Sequence, residues 1–400
     1  MNFVFVGLQR INTDRESTST GLAKELAKNH KVLYVNPPID RKTYFSDAKD
    51  EFTQAHILSI KNKEEKLLQL NDNLWVLDPH TILESINWIP STTVFSAFNW
   101  INNNFFAKEI REILLTLGFE QFILINDKDI FRSFYLKEFL KPELYVYLDR
   151  DYTLGVDYWR KHGISHEPKL MQKADTVVCN SIDFTKRAKH YNKNSYYIGN
   201  GFDDELYNDN TNLPYPEDLK GVPGPIIGYV GALSSLRLDI DLIEAIATNR
   251  QDWSIVLIGP EDEVFMKSKL HKLPNIFYLG KKNKNIVPPY LKHFDVCINP
   301  QLINDVTIGN FPLKINEYLA FGKPVVATST NPMKEIFRDH VYLASGLDQY
   351  LTNIEKALAE DNDTLRVNRK EFVKNFSWRK IAGILLDCLS DSLEKKESEQ

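Results

Sequence analysis

Short apolar runs alternate with amphipathic stretches through almost all of the 400 residues, and this alternation restricts the fold more than any other feature. A strand buried on both faces reads as an unbroken apolar run, and parallel strands of that kind need crossover segments, usually helices, between them. Such runs occur at 3–6, 32–35, 74–77, 93–97, 122–125, 144–148, 176–179 and 196–198, with helical patterns at 19–28, 104–117 and 184–190. The Pro- and Gly-rich stretch 213–225 suits a linker. Runs at 226–230, 254–258, 276–279, 295–298 and 324–327 follow it, with helical patterns at 239–248 and 317–320. Four hundred residues exceed what one core usually serves. The expectation is an α/β protein of two doubly wound, Rossmann-like domains, residues 1–205 and 206–377, with ligands at the carboxyl ends of the strands.

One segment concentrates chemistry. In Phe311-Pro-Leu-Lys-Ile-Asn-Glu-Tyr-Leu-Ala-Phe-Gly-Lys-Pro-Val-Val-Ala-Thr328, Asn310 suits an N-cap, Pro312 a first turn, and Gly322 with Pro324 a helix end before a buried strand. Lys314 and Glu317 stand three apart on one face, close to a helix start that favours anions. A diphosphate next to a ribose would use that pair. A solvated surface pair is the plain alternative, worth a few tenths of a kcal/mol.

This segment resembles the P-x-K-x-x-E-Y-L-A-x-G-K-P-V-V signature of the group 1, nucleotide-sugar-dependent glycosyltransferases of GT-B fold, in which two Rossmann-like domains face each other across a cleft. Two further elements stand in the family's order: Ala174-Asp-Thr-Val-Val-Cys-Asn-Ser181, and Tyr197-Ile-Gly-Asn-Gly-Phe-Asp203, which resembles the I-P-N-G-V-D element joining the two domains. The resemblance implies that Lys314 contacts the diphosphate, Glu317 grips the ribose and Leu313 lies at the same helix start. It makes residues 1–205 the acceptor domain and 206–377 the donor domain, with the helix at 378–394 packing back on the first. The glycine loop Gly228-Tyr-Val-Gly-Ala-Leu-Ser-Ser-Leu-Arg237 would bring Gly231 and Arg237 to the diphosphate, while Gly259 and Gly280 end the strands at the nucleotide pocket. Many retaining members carry a Glu eight positions before the ribose-binding one, and here that position is Gly309. Asp305, with Asn304, Thr307 and Asn310, is the nearby polar set that could hold sugar hydroxyls instead.

On the other domain, Tyr147-Leu-Asp-Arg-Asp-Tyr152 follows a strand, so Asp149 or Asp151 could orient or deprotonate an acceptor hydroxyl. Arg150 pairing with those acids is the structural alternative. Asn126-Asp-Lys-Asp129 is a parallel candidate. Arg10 and Arg15 could meet an anionic acceptor such as a lipid-linked phosphate, and Trp88, Phe98 and Trp100 are either a sugar-stacking surface or core. His80, His162 and His166 show no metal spacing.

The net charge of −5 gives no global attraction for nucleic acid or anionic lipid. Cys179, Cys297 and Cys388 are too scattered for a metal or disulfide framework. The run at 1–7 is short for a signal peptide, and no run reaches a membrane span. The chain reads as a cytoplasmic glycosyltransferase using a UDP-sugar in preference to a GDP-sugar, with a hydroxyl of a surface glycan or a lipid-linked precursor as acceptor. Retention and independence of metals and other cofactors are expected, nucleic-acid binding is not, and peripheral contact with the inner face of a membrane stays open. A nucleotide-sugar epimerase of the same fold and a non-catalytic binding subunit are the alternatives.

Overall fold

A computed structural model describes residues 1–13, 16–46, 50–208, 213–307 and 309–398. The chain divides into two compact units, one formed by Met1–Ile198 together with the segment from Ala382 onward, the other by Gly199–Ile381.

The first unit is an eight-stranded sheet of β1 (Asn2–Val6), β2 (Lys31–Val35), β3 (Leu67–Asn71), β4 (Leu74–Leu77), β5 (Ile123–Asp127), β6 (Leu144–Asp149), β7 (Thr176–Cys179) and β8 (Ser195–Tyr197). Their order is β3-β4-β2-β1-β5-β6-β7-β8, parallel throughout except for the antiparallel β3–β4 edge. The chain works outward from β1 to β4 and returns on the other side at β5, so strand direction of travel reverses between β1 and β5. Such a reversal opens a crevice at the carboxyl ends of those two strands. Val4, Val6, Leu33, Leu124, Tyr145 and Tyr147 pack one side of the sheet against the helix Thr92–Leu117.

The second unit is a parallel six-stranded sheet of β9 (Ile226–Val230), β10 (Ser254–Ile258), β11 (Ile276–Tyr278), β12 (Val296–Asn299), β13 (Val325–Thr328) and β14 (Tyr342–Ala344), in the order β11-β10-β9-β12-β13-β14. Here the reversal lies between β9 and β12. Two clusters cover its faces, one around Ile315, Tyr318, Leu319 and Phe337, the other around Trp253, Leu257, Ile298 and Tyr350.

Three sequence expectations need correction. Residues 93–97 are helical, not a strand: Ser91 caps the backbone N–H of Val94, and the helical phase buries Phe95, Asn99 and Phe106 on one side. Helical burial therefore outweighs the β-preference of Thr-Thr-Val-Phe. Asn310 does not cap the motif helix, which runs Leu313–Ala320 from Pro312 with no side-chain cap; the Asn310 amide instead donates to the Val306 carbonyl at 2.9 Å. The short strands β3 and β14 carry too few apolar residues in a row to stand out.

The last helix, Trp378–Ser398, starts in the second unit, and its part beyond Ala382 belongs to the first. There Lys395 donates to the Tyr196 hydroxyl at 2.9 Å and Lys396 to the Glu143 carbonyl at 2.6 Å. Among the described residues no helix is long and apolar enough to cross a membrane.

Candidate functional site

Three glycines build the carboxyl edge of the second sheet. Gly231, Gly259 and Gly280 follow β9, β10 and β11 with φ of +149°, +152° and +67°. The Gly231 N–H donates to the Ile258 carbonyl at 2.9 Å and the Gly259 N–H to the Gly280 carbonyl at 3.0 Å, so the sheet ladder runs on into these turns. A Cβ on Gly259 would lie 1.8 Å from the Gly231 oxygen. Any side chain there would part β9 from β10.

Lys314 reaches this edge from the Leu313–Ala320 helix. Its Nζ donates to the Tyr229 hydroxyl at 2.6 Å and sits 4.4 Å from the centre of the Tyr229 ring. A Cβ on Gly231 would meet Nζ at 3.0 Å and Cε at 3.1 Å, so glycine at this position is what lets the ammonium lie against the backbone. Tyr318 fixes the helix from its next turn, its hydroxyl accepting the Val230 N–H at 2.9 Å. Burial pushes the Tyr318 phenol well above its ordinary value, which keeps it a neutral hydroxyl. Leu313, Lys314 and Glu317 share the half-buried side of the helix, while Ile315, Asn316, Tyr318 and Leu319 are enclosed. No carboxylate pairs with Lys314 among the described residues. The result is a held cation, without a counter-ion, beside open backbone at the β9 end of the strand reversal.

The loops after β9 and β12 are stitched together. The Leu302 N–H donates to the Arg237 carbonyl and the Asp239 N–H to the Pro300 carbonyl, both at 2.9 Å, and the Asn304 amide donates to the Leu236 carbonyl at 3.0 Å. Of the expected sugar-binding set, most is spent on folding the loop. Asn304 Oδ1 accepts from the Val306 and Thr307 N–H groups, and the Thr307 hydroxyl donates to the Leu302 carbonyl at 2.5 Å. Asp305 is exposed and in no ion pair among the described residues, as is Arg237. Gly309 is buried with φ of +79°, a backbone state that a Glu would adopt only under strain.

In the first unit the two expected acids differ sharply. Asp149 is fully buried; Lys128 bonds its Oδ1 and Arg187 its Oδ2 at 2.7 Å, while Glu167 takes the same two cations and the Tyr147 hydroxyl at 2.8 Å. Burial alone would raise the Asp149 carboxyl, and the charges of Lys128 and Arg187 overcome this and hold it below its ordinary value. Both of its oxygens are thus committed to cations. Asp151 is 40% exposed at its side chain, has φ of +56°, and is held by Arg150 at 3.2 Å. Arg150 turns its other face to Asp127, which also accepts from the Ser19 hydroxyl at 2.6 Å and the Leu8 N–H at 3.2 Å, closing the β1–β5 reversal. Asp129 binds Arg132 at 2.6 Å and two backbone N–H groups.

Beside that reversal lies a cavity of about 730 Å³, lined among others by Arg10, His56, Trp88, Phe131, Tyr158 and Lys161. Arg10 bonds Asp78 and approaches the His56 ring at 3.2 Å, yet its Nε is buried without a partner among the described residues. Arg15 lies outside the described residues. Trp88, Phe98 and Trp100 are all exposed, which places them outside the core. Sequence reasoning missed Tyr229, Tyr318 and the Lys128–Asp149–Glu167–Arg187 cluster. Tyr229 was visible as the residue between two glycines, but nothing local signalled that a lysine eighty-five positions away would rest on it. No group of three or more His, Cys, Asp or Glu among the described residues could hold a metal ion.

Residues 224–361, all within the second unit, match the family model described as glycosyl transferases group 1. The chain is 28% identical over 234 residues to Bacillus subtilis TuaH, a protein named as a glycosyltransferase of teichuronic acid biosynthesis. That match covers 56% of this chain and 58% of TuaH, so the chain spans little more than half the length of this curated relative. Among solved structures, Anabaena HepE in complex with UDP is 17% identical, with a TM-score of 0.64 over 98% of this chain and all of HepE. Sucrose-phosphate synthase of Thermosynechococcus elongatus is 15% identical, with a TM-score of 0.66 over 99% of both chains. The fold is that of the GT-B glycosyltransferases.

Proposed function

We propose that this chain, with its group 1 glycosyltransferase domain, moves a sugar from a UDP-sugar to a hydroxyl of a surface glycan or glycolipid precursor, with retention and without a metal ion. The observation that carries the reading is Lys314, a cation without a carboxylate partner among the described residues, held 2.6 Å from the Tyr229 hydroxyl and tight against Gly231 at the β9 end of the sheet reversal. Departure of a nucleoside diphosphate places negative charge on the leaving oxygen, and prearranged cations stabilise that charge without reorganising. Lys314 and Arg237 are the side chains for this task, and the open N-terminus of the Leu313–Ala320 helix adds partial positive charge. Glu317, on the same helix side, takes the ribose, and Asp305 is the acid left to meet the donor sugar. Asp151, more open than Asp149, orients the acceptor hydroxyl.

Two comparisons support the donor and the acceptor class. HepE has been solved with UDP and with UDP-glucose, and TuaH is named for teichuronic acid biosynthesis. The test is titration of the purified chain with UDP, GDP, TDP and their sugar conjugates, followed by thermal unfolding. A ligand at 100 times its dissociation constant adds about 2.7 kcal/mol of stability. Stabilisation by UDP compounds alone, with transfer undiminished in EDTA and an α-linked product from an α-linked donor, is the expected result. Absence of stabilisation by all three nucleotide families would refute the reading. Interconversion of a free UDP-sugar without acceptor would reassign the protein as an epimerase.

A further inference from the structure

The helix Thr92–Leu117 carries apolar side chains on its outer side as well as its inner one over its first four turns. Its inner side buries Phe95, Phe106 and Ile110 in the first unit, yet Val94, Phe98, Ile101 and Phe105 on the outer side are between 41% and 52% exposed, with Ala97 and Trp100 beside them. At 3.6 residues per turn Ala97, Ile101, Val94, Phe105 and Phe98 form an apolar arc of roughly 100° of the helix circumference, with Trp100 beyond Thr93 and Asn104. A partner helix in a coiled coil needs only a narrow seam. An apolar arc this wide fits a surface into which the helix sinks lengthwise.

The surroundings of the arc narrow the choice further. The helix Asp157–Lys173 packs alongside through the His162 ring stacked on Phe95 at 4.0 Å and the His166 ring on the Ser96 hydroxyl at 3.0 Å. Helical spacing places Tyr158, Lys161 and Lys169 at the surface beside that contact. Lys108 follows Phe105 by three residues on the outer side, its Nζ 5.5 Å from the Phe105 ring. Trp88, 76% exposed, precedes the helix, and Lys161 donates to the Asn87 and Trp88 carbonyls, neutral partners that leave its charge uncompensated. Glu112 and Asp157 are the acids at the ends of this face, and Asp157 is already paired with Arg160. Trp and Tyr at a rim, Phe and Ile at the centre and lysines between them match the headgroup boundary of a bilayer carrying negative lipid.

We propose that this face, centred on Val94, Phe98, Ile101 and Phe105 and bordered by Lys108, Lys161 and Lys169, docks on an anionic lipid surface. No spanning segment is needed for this. The cavity that contains Arg10 is lined by Trp88, Tyr158 and Lys161 as well, so docking brings its mouth to the headgroups. The proposal does not depend on the glycosyltransferase reading, since it concerns binding without donor or acceptor.

The experiment is co-sedimentation of the full chain with vesicles of phosphatidylcholine alone and of phosphatidylcholine mixed with phosphatidylglycerol. The mixed vesicles should carry the protein down and the neutral ones far less. Ile101→Asn with Phe105→Asn should lower partition at least about tenfold. Lys108→Ala and Lys169→Ala should each lower it about fivefold on anionic vesicles only. UDP binding by the same variants reports folding and the donor site separately: its loss in the parent would count against the proposed function, not against docking. Three results would overturn the proposal: no sedimentation with anionic vesicles, sedimentation unaffected by all four substitutions, or a concentration-dependent dimer abolished by Ile101→Asn with Phe105→Asn, which would assign the face to a second copy.

Discussion

Replacing Lys314 by Met separates the ammonium charge from everything else that this side chain does. The parent Nζ hydrogen-bonds Tyr229 at 2.6 Å and sits 4.4 Å from the centre of its ring. Met keeps an unbranched stem of similar length without the charge, and its sulfur packs well against an aromatic ring. Tyr229 keeps its own hydrogen bond to the Ala232 carbonyl at 3.3 Å, so the hydroxyl is not orphaned. The expected stability change is therefore within about 1 kcal/mol. A charge-assisted hydrogen bond to a phosphate is worth about 1.5–3 kcal/mol, so UDP affinity should fall about 10- to 150-fold while the thermal midpoint of the free protein barely moves.

A second substitution reaches the same atom without touching its charge. In Gly231→Ala the new methyl would meet Lys314 Nζ at 3.0 Å, Lys314 Cε at 3.1 Å and the Tyr229 hydroxyl at 2.9 Å, and the backbone sits at φ of +149°. Lys314 must withdraw, so affinity should fall although the lysine remains. Isothermal titration with UDP at low and moderate salt measures both. The parent should lose affinity as salt rises, and Lys314→Met should show a shallower dependence because one screened charge is gone. A folded Lys314→Met protein that binds UDP within about twofold of the parent would refute the assignment of the diphosphate to this place.

Three further outcomes follow from the geometry. Asp149→Asn leaves Lys128 and Arg187 facing Glu167 in the interior and should cost about 3–5 kcal/mol in urea unfolding; Asp151→Asn, open and held by Arg150, should cost under about 1 kcal/mol and lower kcat instead. The reverse order of stabilities would sink both assignments. Gly309→Glu, forced to φ of +79°, should lose about 1–2 kcal/mol in thermal unfolding and gain no transfer activity, whereas a gain would mean the loop can accept the acid after all. Burial holds His162 and His166 below their ordinary value, so the folded state resists protonation that the unfolded chain accepts below about pH 6.5; stability should be full at neutral pH and decline as pH falls through that window, and a flat thermal midpoint down to about pH 5.5 would contradict it.

What could be read from the sequence followed from periodicity. Strands enclosed on both faces, such as Val32–Val35 within β2 or β10, have no alternative to a continuous apolar run, and ten others were recognisable for the same reason or nearly so. The run at 93–97 misled because Thr, Val and Phe are consistent with either state; its Asn residues further on, three of them buried, carried the helical phase instead. The carboxyl edge of the second sheet was legible where backbone geometry demands one residue type. Only glycine fits between β9 and β10 at Gly259, so its spacing from the strand ends survives in the sequence.

Pairings made across the fold leave no such trace. Asp149 and Asp151 are two residues apart and chemically identical, and no local pattern distinguishes an acid clamped between Lys128 and Arg187 from one open to solvent. The cations that separate them come from the end of β5 and from a helix beyond β7, brought in by the order of strands. Gly309 illustrates the opposite limit. Sequence alone shows an acid absent from a position, whereas the left-handed backbone shows why one cannot simply be placed there. With Asn304, Thr307 and Asn310 already engaged in holding the loop, any acid that meets the donor sugar from this loop has to be Asp305. On the proposed reading, the chemistry at the anomeric carbon turns on an exposed loop carboxylate and on Lys314 and Arg237 beside the diphosphate, and a change at Asp305 would test that reading more sharply than any attempt to restore a glutamate at 309.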